Sequence, residues 1–294
     1  MRPRHFLSVV LAATLWGFGG ITGTLLGDHA GIGPLSIAMW RMLVAGVALL
    51  AYLAVRGTLR RLSAAQWRRA LLTGTLTAAF EACYFLGISY SSVGLSTLIG
   101  IGSAPVFVAA YDWATERRRP PVTTLIALAL ALGGLALLLS GSLDTGRNGP
   151  LGALIALGAG ATFAAITVVN RHEVPGLGPV EHTAFAFTFG GLLLVPAAAA
   201  TGIGAASDGY GWALTIAMGV LITALAYVAY LTGLRSVPPF VATIVALLEP
   251  LVAAIAAALI FAERLGPLGI VGGLLLGAAV VLLRPQRDEP ESLH

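Results

Sequence analysis

Apolar residues run along this chain in blocks of about twenty, and polar residues gather in the short gaps between them. The pattern predicts ten helices, at about 5–26, 34–55, 67–89, 93–112, 121–140, 150–169, 181–201, 211–233, 239–261 and 266–284. Each block is long enough to cross a hydrocarbon core about 30 Å thick. The gaps carry turn-forming or charged residues, as in Gly31-Ile-Gly-Pro34, Pro120-Pro121, Asp144 to Pro150, Pro175 to Pro179 and Pro238-Pro239. The first block follows Arg2 and Arg4 and could be mistaken for a secretion signal. It is too long for the apolar core of such a signal, and a second block follows at once, so it reads as an uncleaved first helix.

Two stretches share one layout. Ser92 to Leu139 and Phe240 to Arg284 each hold two apolar runs around a short charged break. Pro105 aligns with Pro250, Glu116 with Glu263, Tyr84 with Tyr230 and Trp16 with Phe163, all at offsets of 145 to 147 residues. Four landmarks in one order at nearly one offset point to an internal duplication, with a first repeat over 1–145 and a second over 146–294 in one integrated membrane domain. Each repeat has five spans, an odd number, so the second enters the membrane inverted relative to the first.

Composition narrows the class further. The 294 residues are 57% hydrophobic and only 10% charged, against about 25% charged in soluble domains. No soluble domain fits anywhere, which excludes a self-contained ATP-driven pump. All 17 basic residues are arginines, so the net charge of +4 describes the loops rather than a nucleic-acid surface. Fourteen of them fall on the segments that are cytoplasmic if the N-terminus is inside; Arg147 and Arg264 fall outside, and Arg41 lies within a span. This bias places both termini in the cytoplasm. The single cysteine, Cys83, cannot form an intrachain disulfide and reads as a small core residue. No metal-ligand spacing or phosphate loop occurs, so no cofactor is expected.

The ten spans, the two repeats, LAATLWGF near the start, and the late Leu248-Glu249-Pro250 followed by Ala262-Glu263-Arg264 resemble the EamA-type transporters of the drug/metabolite transporter superfamily. The resemblance covers nearly the whole chain and extends, within the family, to YddG-like amino acid exporters. It implies a multi-pass protein of the bacterial inner membrane that exports small metabolites. The first repeat departs from the motif, because Ser103-Ala104 precede Pro105 where Glu249 precedes Pro250.

Candidate cavity residues follow from charge and ring chemistry inside the spans. Glu81 shares a helical face with Tyr84, and a carboxylate in a span is costly unless it faces a partner, water or a cargo. It reads either as a cavity acid meeting an ammonium group or proton, or as a structural acid bonded to a neighbouring helix. Thr223, Tyr227 and Tyr230 share a face at i, i+4 and i+7, in the repeat mate of the Glu81 helix. Trp16 and Phe163 are repeat mates whose rings suit apolar or aromatic cargo, or plain packing. Glu249 divides evenly between cargo or proton binding and bridging of bent backbone. Pro105 and Pro250 are candidate hinges, since proline removes a helix donor and disfavours helix at the residue before it. Arg41 could snorkel to the interface or pair with an acid. Asn170 reads as a cap, His182 as interfacial, and the glycines at 19/23/27 and 273/277 as helix contacts.

These readings converge on a monomeric secondary transporter, not an enzyme, that exports amino acids and their analogues by alternating access, with protons as a candidate coupled partner. Nucleobases, sugar derivatives or cationic drugs are the alternative cargo, and a passive channel the alternative class. The topology is testable: a reporter fused after His294 is expected to be active only in the cytoplasm, and periplasmic activity would refute the span count or the orientation.

Overall fold

The computed structural model describes residues 1–117, 119–143, 146, 148–260 and 265–285, and every regular element among them is helical. Eight helices are long and apolar enough to cross a membrane: α1 (Pro3–Ala30), α2 (Pro34–Val55), α3 (Ala64–Tyr90), α4 (Val93–Glu116), α6 (Gly149–Val169), α7 (Pro179–Thr201), α8 (Gly209–Gly233) and α9 (Pro239–Ile260). Two apolar helices, α5 (Val122–Leu138) and α10 (Pro267–Leu283), are shorter at 17 residues each. At 1.5 Å per residue they reach about 25 Å. Arg147, Glu263 and Arg264 lie outside the described residues, as does the pairing of Glu263 with Glu116.

Local chemistry sets the ends. Pro3, Pro34, Pro179 and Pro267 stand in the first turn of their helices, where a missing N–H leaves no bond unmade. Ser63 and Gln66 form a reciprocal capping box at α3, with Ser63 N–H donating to Gln66 Oε1 at 2.9 Å. Asp208 caps α8 by accepting from Gly211 N–H at 2.8 Å. That bond first, and His29 next, hold the Asp208 carboxyl below its ordinary value. A depressed carboxylate stabilises at neutral pH and loses its contribution only as pH falls through the lowered value, so the cap should persist into mild acid.

The strongest packing joins one half of the chain to the other. Under the repeat relation expected from sequence, α1 would correspond to α6, α2 to α7, α3 to α8, α4 to α9 and α5 to α10. The extensive contacts come in matched sets: α1 on α8 with α3 on α6, α1 on α9 with α4 on α6, and α2 on α8 with α3 on α7. The remaining large contacts, α2 on α7 and α5 on α10, join repeat mates. Helices neighbouring in sequence touch far less. Leu154, Leu259 and Leu274 are among many large apolar side chains left exposed on the outward faces, as suits contact with lipid.

The candidate hinges differ from one another. The helix containing Pro250 is interrupted at Leu247, between Pro239–Ala246 and Leu248–Ile260. The Pro250 ring removes a backbone donor and crowds the carbonyl of Ala246, four residues earlier, which favours a break there. Pro105, by contrast, lies inside an α4 that continues from Val93 to Glu116 without a break. Of the two candidate hinges, only the one at Pro250 coincides with an interruption of its helix.

The glycine expectations hold in part. A Cβ on Gly273 would lie 2.9 Å from Leu251 Cδ1, a close helix contact as expected, whereas at Gly277 it would meet nothing within 4 Å and at Gly19, Gly23 and Gly27 it would make ordinary contact only, at 3.4 to 3.8 Å. The closest approach between α5 and α10 occurs instead at Gly134 and Gly272. A Cβ on Gly272 would lie 2.4 Å from the Gly134 carbonyl oxygen, and one on Gly134 would lie 2.6 Å from the Gly272 oxygen. Backbone on both sides leaves no flexible atom to yield. Gly272→Ala is expected to lower thermal stability by about 1–3 kcal/mol, the usual scale of overpacking, while Gly277→Ala leaves it unchanged; equal unfolding temperatures for the two variants would refute this contact.

Candidate functional site

A cavity of about 460 Å³ runs from mid-bundle to the end that carries the α1–α2 and α3–α4 connections. Its deep part is bounded by Trp16, Phe80, Glu81, Tyr84, Phe163, Tyr227 and Glu249, and Asp28, Ile32 and Pro34 lie near its mouth. Six sequence-predicted residues, Trp16, Glu81, Tyr84, Phe163, Tyr227 and Glu249, thus line one space although they come from five helices.

Aromatic packing holds the floor in place. The Trp16 ring meets Tyr227 with centroids 5.0 Å apart, Tyr230 at 5.1 Å and Phe163 at 6.0 Å. Phe80 approaches Phe163 at 5.6 Å and stacks with Tyr84 at 6.0 Å. Edge-to-face and offset pairs of this kind add about 0.5–1.5 kcal/mol each beyond area burial. Tyr84 and Thr97 share a hydroxyl hydrogen bond at 2.8 Å, as do Tyr230 and Thr167.

Two expected cavity residues are placed elsewhere. Tyr230 is fully buried beneath the floor, its hydroxyl occupied by Thr167. Thr223 is also fully buried, and its hydroxyl donates to its own helix at Met218 O, 2.9 Å away. Residues Met218–Leu225 of α8 are wound as a π-helix. Thr223 lies within this wider turn and keeps its hydroxyl on its own helix, while Tyr227, in the α-helical turn that follows, lines the cavity. Such insertions are frequent at functional sites.

Arg41 is the residue that sequence reasoning left out of the cavity. It lines this space and its Nη2 lies 2.9 Å from Glu81 Oε1, an ion pair between α2 and α3. The contact lacks hydrogen-bond alignment, and Arg41 Nε and Glu81 Oε1 are both buried without a hydrogen-bond partner. Trp16 Nε1 is buried and unpartnered in the same way. Glu249 is joined to no other described residue by a hydrogen bond or ion pair, yet it shares the electrostatic field of Arg41 with Glu81. One guanidinium therefore serves two carboxylates. A signal was present in sequence: Arg41 lies well inside its span, whereas Arg68, Arg69 and Arg284 sit at the very ends of theirs.

A further wall belongs to α1, beyond Trp16 on the same helix. Gly19, Gly20, Gly23 and Gly27 line the cavity, and a Cβ added at Gly20 would meet nothing within 4 Å. These glycines make room rather than bringing helices together. Cys83, read as a core residue, is only half-buried, beside the position of Gly158.

The opposite end is shut by charge pairs and hydrogen bonds. Arg171 reaches Asp112 at 3.2 Å and Glu116 at 2.6 Å, Arg60 reaches Glu181 at 3.1 Å, and Arg235 reaches Glu173 at 3.1 Å. Arg69 donates to the carbonyls of Val169 and His172. His182 is buried here rather than interfacial. Thr73 Oγ1 donates to Asn170 Oδ1 at 3.1 Å, so at 3.0 Å it accepts from His182 Nε2. Asn170 caps the C-terminus of α6, as its position suggested.

The sequence model of the EamA-like transporter family matches residues 4–140 and again 150–284. The chain belongs to the EamA-like transporter family. It is 30% identical over 293 residues to the uncharacterized transporter YwfM of Bacillus subtilis (strain 168), covering 99% of this chain and 98% of that protein. It is 26% identical over 289 residues, or 95% of each chain, to the uncharacterized inner membrane transporter YicL of Salmonella typhimurium. A solved crystal structure superposes with a TM-score of 0.81 over 96% of this chain and 98% of the other, at 14% identity, a likeness of fold alone. This EamA-family chain is thus a multi-pass membrane transporter.

The buried ion pair sets an energetic expectation. Removing one partner of such a pair costs about 3–5 kcal/mol, because the other charge is stranded, whereas replacing both with apolar residues is often neutral. Glu81→Gln is therefore expected to lower the unfolding temperature in detergent markedly. The double variant Arg41→Met with Glu81→Leu should recover most of the loss. A double variant no more stable than Glu81→Gln would show that the pair is not what the fold depends on here.

Proposed function

We propose that this protein is a secondary transporter that exports small metabolites across the bacterial inner membrane by alternating access. The favoured cargo is amino acids, apolar and aromatic ones included, and their analogues. The observation that carries this reading is the cavity: one open end, aromatic walls, and a floor that presents both a guanidinium and carboxylates. A small zwitterion with an apolar side chain has complementary groups for each of these. With both termini cytoplasmic, the open end faces outward and the ion-paired end faces the cytoplasm.

In this reading the cargo binds beside Trp16, Glu81, Tyr84, Phe163, Tyr227 and Glu249, and the break ahead of Pro250 supplies compliance for the change of access. Pro105 would act within a continuous helix, by bending rather than by interruption. Thr223 and Tyr230 would support the floor without touching cargo. The protein works as a monomer in the bilayer, with protons as a candidate exchange partner. The excess of carboxylates over Arg41 in the cavity gives cationic drugs a claim as the second cargo class.

Counterflow into proteoliposomes tests the proposal. Preloaded amino acid should drive saturable uptake of labelled amino acid from outside, which a passive channel cannot do. Gly20→Leu should fill the cavity and abolish counterflow while leaving the unfolding temperature unchanged, because its side chain enters open space. Absence of trans-stimulation by any amino acid, with cationic drugs active, would transfer the reading to the second cargo class. Uptake that does not saturate would overturn the carrier mechanism.

A further inference from the structure

Two N–H donors at the cavity stand without acceptors. Trp16 is 7% exposed and lines the cavity, and its indole Nε1 is buried with no hydrogen-bond partner. Arg41 lines the same cavity, spends one terminal nitrogen on Glu81, and leaves its Nε buried and unpartnered. A buried donor left unmade costs about 1–3 kcal/mol, and more when it is charged. Such groups in an otherwise aromatic cavity are accounted for if an acceptor arrives from outside the chain.

We propose that Trp16 Nε1 and Arg41 Nε form a carboxylate-binding subsite that fixes which end of the cargo lies against α1 and α2. This deepens the amino acid reading above and rests on it. The two donors differ in kind, a neutral indole and a delocalised guanidinium with planar geometry suited to carboxylates. Neither is free to bond a cargo ammonium, since both only donate. A cargo amine has separate acceptors at Glu249 and at Glu81 Oε1, both on the same cavity. The subsite therefore selects for a carboxylate, and the carboxylates of the chain receive the amine. Amines that lack the acid group would be held by one end only.

The Trp16 ring has a structural part through its contacts with Tyr227, Tyr230 and Phe163. Trp16→Phe keeps an aromatic ring and deletes the N–H, which separates the two parts. Arg41→Lys keeps a positive charge opposite Glu81 and deletes Nε, and serves if the first variant does not fold. The probes are L-phenylalanine, L-phenylalaninamide, 2-phenylethylamine and 3-phenylpropanoate, measured by calorimetry on the purified full chain in detergent.

Wild type should bind L-phenylalanine and 3-phenylpropanoate more tightly than L-phenylalaninamide and 2-phenylethylamine, which lack the carboxylate. Trp16→Phe should weaken those two probes roughly tenfold or more, the scale of a hydrogen bond to a charged group. It should leave the amide and the amine unchanged. Equal weakening of all four probes, or of none, overturns the subsite while the amino acid reading stands. Failure of wild type to bind any of the four overturns both. Binding of the amine alone overturns both as well, in favour of a cationic cargo.

Discussion

Lipid tails offer helices no hydrophobic reason to associate, so a membrane bundle must hold by close packing and by polar contacts between helices. In this protein that constraint is met across the two halves of the chain rather than within them. Each major contact has a counterpart under exchange of the halves, or joins repeat mates such as α2 with α7 and α5 with α10. Neither half has an extensive interface of its own. The two stretches of sequence that match the family are thus mutually dependent parts of one bundle, and the cavity lies where their helices cross.

The same medium decides how the polar groups are arranged. The Arg41 and Glu81 charges sit on adjacent helices and offset each other at 2.9 Å, which makes two otherwise prohibitive residues tolerable. Glu249 has no such contact and reaches Arg41 only through the field. The ion pairs of Arg171, Arg60 and Arg235 occupy the far end, where partly exposed surface charges are worth little individually. Deep charge is paired sparingly and at high stakes, while peripheral charge is paired generously and weakly. The proposed alternation of access is served by that distribution, since the weak pairs are the ones it would break.

Sequence pattern carried much of the architecture because span length and loop chemistry are local properties. The helix limits at Pro3, Ser63, Pro179 and Asp208 follow from caps and first-turn prolines that are legible residue by residue. The aromatic and acidic cavity residues were legible because a polar or bulky group in an apolar run stands out. Pairing across helices was not, which is why Arg41 stood open between snorkelling and pairing with an acid, and Glu81 between a cavity role and a bond to a neighbouring helix. Helical period was assumed to be 3.6 throughout, and the π-turn over Met218–Leu225 broke that assumption for Thr223. The two prolines looked equivalent in sequence, yet only the one after Glu249 accompanies a broken helix.

The glycine wall has a consequence for how such a protein could diversify. Side-chain walls adapt to a guest by changing rotamers, so they tolerate a range of sizes. A wall of bare backbone at positions 19, 20, 23 and 27 cannot adapt in that way and sets a hard limit on girth. It is also the easiest wall to alter, because a methyl group added at Gly20 disturbs nothing behind it. Single substitutions there would trim the accepted size in small steps while the charged floor kept its chemistry. Size tolerance and chemical recognition are therefore encoded by different residues of one cavity, free to evolve independently.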